Sequence, residues 1–253
     1  MAILHSAAAV LAVFVHQGRP MGVNDIALAL KMPKSSVSRL LRQMADAGLL
    51  TRDAESLAYS PADMMVALGR FVLEHQPVIR RIESELSEAV ALNGHTGFIS
   101  VLDSTLHQVV VLRVLHGTQM LRIVTQAGKR NSAVSTSTGR ALLARLSDDR
   151  VAAAFGETLG MDASPQSRGL PWLLRSLAGV RRTGCAVALD EAFAHVGSVS
   201  CAVGEPSSGQ SWAFCLSFPS VLAQEKSFVE DLSRQLVRSA RRLGRSIGDP
   251  HWQ

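Results

Sequence analysis

The spacing of apolar residues divides the first sixty positions into three helical segments followed by short extended pieces. Leu4, Ala8, Leu11, Phe14 and Val15 recur at helical intervals, which predicts an amphipathic helix over residues 3–15 that faces a core and ends near Gly18 and Pro20. Gly22 can then cap a short helix that runs to about Lys31, with Asp25 in the first turn, where a carboxylate complements exposed amides. Met32-Pro33 interrupts it, because proline disfavours helical geometry in the residue before it and suits the first turn of whatever follows. The third helix extends to about Gly48, whose freedom to turn left-handed closes it, and buries Val37, Leu40, Leu41 and Met44 along one stripe. Residues 49–52 and 57–60, joined by the turn-prone Asp53-Ala54-Glu55-Ser56, read as a small hairpin.

Further on, Pro61 opens a helix with Met64, Met65, Leu68 and Val72 in phase, and residues 78–92 form another around Ile79, Ile82, Leu86 and Val90. The expected domains are residues 1–61, a connector helix over 62–77, and a second domain over 78–253. Beyond Gly94, strand-like runs at 95–102, 108–115 and 120–125 are separated by Asp-Ser and His-Gly-Thr turns and suggest an antiparallel meander. Helical stretches follow at 138–146, 148–155 and 170–183, then two strands at 198–203 and 210–218 and a last helix at 223–247. The chain is therefore expected to be an α+β protein.

With 253 residues, two domains can each bury a core, and a wholly disordered chain is excluded. The longest apolar run, residues 7–15, is about half of what a membrane-spanning helix needs. No Lys or Arg precedes it and no cleavage site follows, so a cytoplasmic protein without a membrane partner is expected. Cys185, Cys201 and Cys215 form an odd set without C-x-x-C spacing, which favours reduced, buried thiols over a disulfide framework or a zinc site. His107 and His116 flank one strand near enough in sequence to suggest a metal shared with Cys201, but they read better as satisfied or exposed side chains; neither metal nor cofactor is expected. The chain has no G-x-S-x-G, Walker loop, S-x-x-K or H-E-x-x-H, so enzymatic readings have little support.

The net charge of +5 matters less than its distribution. Lys34, Arg39 and Arg42 fall in the third helix with no acid among residues 34–42, while five arginines in 234–245 read as a solvated helix face. Helix, helix, tight turn, helix and hairpin is the order of a winged helix-turn-helix. With its apolar stripe inward, the third helix turns Ser35, Ser38, Arg39, Arg42 and Gln43 outward, a face suited to the major groove of DNA. By reach, Lys34, Ser35 and Ser36 anchor phosphates, Arg39 and Arg42 address guanine edges, and Arg52 at the hairpin meets the flanking backbone.

Three separated segments resemble the IclR family of bacterial transcriptional regulators. Met32-Pro33-Lys34-Ser35-Ser36-Val37-Ser38-Arg39-Leu40-Leu41 is similar to the family's Leu-Pro-Lys-Ser-Thr-x-x-Arg-Leu-Leu pattern, with serine for threonine at position 36. Residues 135–144, containing Ser137, Thr138, Gly139 and Arg140, resemble its small-polar-Gly-Lys/Arg-Ala-Leu-Leu-Ala helix start, and residues 184–191, ending at Glu191, its Gly-Tyr-Ala-x-x-x-x-Glu segment. The resemblance implies a GAF-like effector domain behind the winged helix, a connector helix that helps dimerise, and homodimers or homotetramers on palindromic operators. Departures are a wing without its usual glycine, Ser200-Cys201-Ala202-Val203-Gly204 in place of an apolar-Ala-Ala-Pro-Val strand, and no threonine-rich loop near 160–168.

Residue matching then implies that Ser137, Thr138, Asp190 and Ser200 contact a small-molecule effector, often a carboxylate or aromatic acid in the family. Met120, on the expected third strand, is the candidate apolar wall. Independently of the resemblance, a helix starting near Thr138 offers hydroxyls and free amides to an anion, although Ser137 or Thr138 can equally cap that helix itself. The rival reading is a metabolite-binding enzyme or sensor whose winged helix mediates protein contacts.

Overall fold

A computed structural model describes residues 3–74, 77–156 and 169–253. Residues 1–76 and 77–253 form two compact units.

In the first unit, helices α1 (Ile3–Gln17), α2 (Val23–Leu30) and α3 (Lys34–Asp46) precede a hairpin of β1 (Leu50–Arg52) and β2 (Tyr59–Pro61), and α4 (Asp63–Glu74) follows. The α2–α3 turn is tight because Lys31 adopts a left-handed conformation (φ 52°) and Pro33 starts α3. The core gathers Val10, Phe14, Ile26, Leu41, Met44 and Tyr59 around the buried α3 stripe. The expected α1 stripe is out of phase. Val10 and Phe14 face the core with Ser6, whereas Leu4 and Val15 are exposed. Apolar residues occupy nearly every face of α1, so spacing alone does not choose the buried one.

The second unit is built on an antiparallel sheet in the order β5-β4-β3-β8-β7-β6. Its strands are β3 (Thr96–Leu102), β4 (Gln108–Leu115), β5 (Arg130–Ser132), β6 (Ala186–Leu189), β7 (Val196–Glu205) and β8 (Gln210–Pro219). Strand alternation sends Phe214, Leu216 and Phe218 of β8 to one face, where α5 (Pro77–Asn93) and α9 (Lys226–Ile247) pack. Ala213, Cys215 and Ser217 go to the other, beneath α6 (Ser137–Leu143), with α7 (Asp148–Phe155) and α8 (Leu170–Thr183) packed outside it. Where α9 ends, the buried Asp249 accepts hydrogen bonds from Arg145 (2.8 Å) and the Gly204 amide (2.7 Å), and the Trp252 indole donates to the Ala202 carbonyl (2.9 Å).

Two expectations change here. Residues 120–125 are an irregular crossing segment and not a strand; the edge beyond β4 is taken by Arg130–Ser132, which pairs with Gln108–Val110. A strand not foreseen, β6, forms the other edge, since a run of only five apolar residues after Gly184 carries too little pattern to be told from a loop. The threonine-rich loop sought near 160–168 lies outside the described residues.

Candidate functional site

The first unit presents α3. Val37 and Leu41 are fully buried, and their burial fixes the helix rotation that leaves Lys34, Ser35, Arg39, Arg42 and Gln43 exposed, with Ser36 and Ser38 half-buried. Neither Arg39 nor Arg42 has an acidic partner among the described residues. Both guanidiniums therefore present their donors to solvent, with no hydrogen-bond partner among the described residues.

Arg52, by contrast, is held. Its Nε donates to the Leu57 carbonyl (3.4 Å) and its guanidinium lies over the Tyr59 ring, 5.5 Å from the centroid. The turn beneath it has no glycine; Leu57 takes the left-handed conformation (φ 57°) instead. Asp53 pins that turn by accepting from the Ser56 hydroxyl (2.6 Å) and amide (2.7 Å), and the hydroxyl contact holds the Asp53 carboxyl below its ordinary range. Tyr59 also exchanges two backbone hydrogen bonds with Met21, tying the hairpin to the entrance of α2.

The second unit contains a cavity of about 480 Å³ between the sheet and α6, within the size range of small-molecule sites. Small polar side chains line its deep side: Ser100, Ser137, Thr138, Ser198 and Ser217. Ser137 Oγ lies 2.7 Å from Ser198 Oγ and 2.6 Å from Ser200 Oγ, so the three hydroxyls form a linked set. Cys215 joins this wall, and burial pushes its thiol up to about 12, which keeps it neutral. Phe98, Val111, Ile123, Val124 and Val196 supply apolar walls. Charge enters at the exposed Arg122 and Lys129, and no acidic side chain is among the described lining residues.

A buried ion pair braces this cavity. Arg140, 2% exposed on α6, donates to both carboxylate oxygens of Glu191 (2.7 and 2.9 Å), to the carbonyls of Val134 (3.1 Å) and Val187 (2.5 Å), and stacks over Trp172. The preceding Gly139 is required by the same packing, because a Cβ there would sit 2.1 Å from the Ala133 carbonyl oxygen.

The five expected effector contacts separate. Ser137 and Thr138 line the cavity, and Ser200 stands one hydroxyl behind it. Asp190 is exposed and engaged elsewhere, accepting from the His195 amide (2.6 Å) and the Ser220 hydroxyl (2.9 Å). Met120 is 100% exposed and absent from the lining, because its segment is not a strand; Ile123 and Val124 of the same segment reach the cavity instead. The α6 cap is Thr136, whose hydroxyl accepts from the Gly139 amide (3.1 Å), so neither Ser137 nor Thr138 is spent on capping. Arg122, Lys129, Ser198, Cys215 and Ser217 were not anticipated. One usable signal was the serine spacing in β7, where Ser198 and Ser200 fall on one strand face. Among the described residues, no three potential metal ligands cluster, and no helix is long and apolar enough to cross a membrane.

Residues 6–54 match the model of the IclR helix-turn-helix domain and residues 70–245 match that of the bacterial transcriptional regulator IclR C-terminal domain. This chain belongs to the IclR family. Its curated relatives include the regulator TtgV of Pseudomonas putida, 28% identical over 90% of this chain and 86% of that one. They also include the KdgR regulators of Dickeya chrysanthemi and Escherichia coli, each 29% identical, of which the chain spans only 41% and 50%. Among solved structures, a putative IclR regulator from Silicibacter has the same fold (TM-score 0.85, 20% identity, 100% of both chains). So does an IclR homologue from Microbacterium hydrocarbonoxydans complexed with 4-hydroxybenzoate (TM-score 0.70, 19% identity, 97% of this chain and 100% of that one).

Proposed function

We propose that this IclR-family chain is a ligand-responsive transcriptional regulator. Its α3 helix enters the major groove of operator DNA. Arg39 and Arg42 read bases there, Lys34, Ser35, Ser36, Ser38 and Gln43 hold phosphates and neighbouring edges, and Arg52 meets the flanking backbone. The observation that carries this reading is the pair of unpartnered arginines on the outward face of a helix whose inward face is fixed by burial.

The cavity holds a small amphipathic acid. Its apolar walls take a hydrocarbon or aromatic body, its hydroxyls a neutral polar group, and Arg122 and Lys129 an anionic one. An aromatic acid such as the 4-hydroxybenzoate bound by the Microbacterium homologue has this character. Ser137 and Thr138 contact the ligand directly, and Ser200 acts through Ser137. Dimerisation uses α4, on which Val66 is 65% and Phe71 57% exposed.

The test is binding to DNA from upstream of the protein's own coding sequence, followed by fluorescence anisotropy across a salt series. Operator binding falls steeply with salt because counterions are released from phosphates. Salt-insensitive binding would favour protein docking through the winged helix and sink the DNA reading.

A further inference from the structure

The cavity and α3 leave Cys185 and Cys201 unexplained, and these two face each other. The β6–β7 register pairs Ala186 with Ser200, so the next positions outward, Cys185 and Cys201, are opposite one another across antiparallel chains. Both thiols are buried on the α9 face of the sheet, and Cys201 is fully enclosed. Cys185 also borders a surface groove of about 540 Å³ between β6 and α9, shared with Ser233, Arg234 and Val237. Cys215 lies on the opposite face, in the cavity wall.

We propose that Cys185 and Cys201 form a peroxide-sensitive dithiol that closes to an intrachain disulfide. Directly opposed cross-strand residues have Cβ atoms about 4.5–5.5 Å apart, and a disulfide needs about 3.5–4.5 Å, so a shift of roughly 1 Å closes the bond. The shift is available because Cys185 precedes the edge strand and follows Gly184, which is left-handed (φ 75°). The environments divide the labour. Hydrogen bonds from the Cys201 thiol, the Ser233 hydroxyl and the Ser200 amide lower the Cys185 pKa, whereas burial raises that of Cys201. Cys215, by contrast, stays neutral, because burial pushes its thiol up to about 12.

The chemistry balances with hydrogen peroxide as oxidant. The Cys185 thiolate attacks one peroxide oxygen; an S–O bond forms, the O–O bond breaks, and hydroxide leaves and takes up the proton released by the thiol. Cys201 sulfur then attacks Cys185 sulfur; an S–S bond forms, the S–O bond breaks, and the departing hydroxide takes the Cys201 proton. Two thiols are oxidised, one peroxide is reduced, and two waters are produced. The same ladder carries Ala188 and Ser198, which line the cavity, so a bond at one end restrains the cavity wall at the other.

The experiment treats the reduced full chain with hydrogen peroxide, blocks remaining thiols with N-ethylmaleimide and maps peptides by mass spectrometry without reduction. The expected product links Cys185 to Cys201, reverts with dithiothreitol and leaves Cys215 free, with Cys185 reacting on the order of tenfold or more faster than Cys215. Cys201→Ser, a near-isosteric change that retains the packing, should halt at a Cys185 sulfenic acid trapped by dimedone. A disulfide through Cys215, a disulfide between chains, over-oxidation of Cys185 without a link, or three unreactive thiols each overturn the proposal.

Discussion

The two units handle charge in opposite ways. On α3 the arginines stand outside, solvated and without an acidic partner among the described residues, over a core that owes them nothing. In the second unit the decisive charges are inside: Arg140 with Glu191 and Arg145 with Asp249 are buried pairs whose donors are also taken up by backbone carbonyls or hydroxyls. A free surface cation can change partners at little cost to the fold, which suits recognition of a polyanion. A buried one is bound to its site, because leaving either partner alone costs far more than the pair gains.

This contrast predicts that arginine removal has opposite consequences in the two units. Arg39→Ala with Arg42→Ala should weaken operator binding by about 2 to 6 kcal/mol, at roughly 1 to 3 kcal/mol for each base-reading arginine, while thermal stability stays within about 0.5 kcal/mol. Anisotropy titration and melting on the same sample give both numbers. A stability loss with retained binding would invert the comparison. Arg140→Met should do the reverse, removing the guanidinium that binds the Glu191 carboxylate and the Val134 and Val187 carbonyls and costing about 3 to 5 kcal/mol of stability. Tryptophan fluorescence reads that loss selectively, because Trp172, Trp212 and Trp252 all belong to the second unit and the first contains only Tyr59.

The same contrast explains what could be read from the sequence. The face of α3 was legible because its i, i+3, i+4 spacing and its charges agree, and both are local. The strands 95–102, 108–115 and 210–218 were legible as apolar runs bounded by turns, and they became β3, β4 and β8 with shifts of at most one residue. The α6 side of the cavity was legible at Ser137 and Thr138, but its sheet wall was not, because Ser198 and Ser217 meet Ser137 only after β8 pairs between β3 and β7. Arg140 and Glu191 were visible as members of two separate motifs, but their contact across fifty-one positions was not. Met120 failed for a related reason: a short apolar run reads as a strand, yet a strand also needs a neighbour, and β4 pairs with β5 instead.

A smaller effect separates the cavity from its scaffold. Ser137→Ala removes the hydroxyl shared with Ser198 and Ser200 and should cost about 1 to 3 kcal/mol of stability, since both serines lose a hydrogen-bond partner. If Ser137 also contacts the ligand, the thermal shift produced by 4-hydroxybenzoate as a probe should fall further than the stability loss accounts for. A variant that keeps the full probe-induced shift would place the effector elsewhere.

The smallest expected effect comes from a buried group that carries no charge at neutral pH. His95 is 5% exposed just before β3, with its ring 6.0 Å from Phe218 and 5.6 Å from Phe228, and this burial lowers its pKa from the ordinary 6.5. A histidine depressed in the folded state binds protons more readily when unfolded, so stability is complete above about pH 6.5 and declines as pH falls below it. The loss is bounded by about 1.4 kcal/mol for each unit of depression. Melting followed by tryptophan fluorescence at pH 7.5 and pH 5.5 should show this decline, and His95→Leu, which keeps the apolar contacts and removes the titration, should make it shallower. An equal decline in both proteins would mean that the acid sensitivity of the second unit originates in other groups.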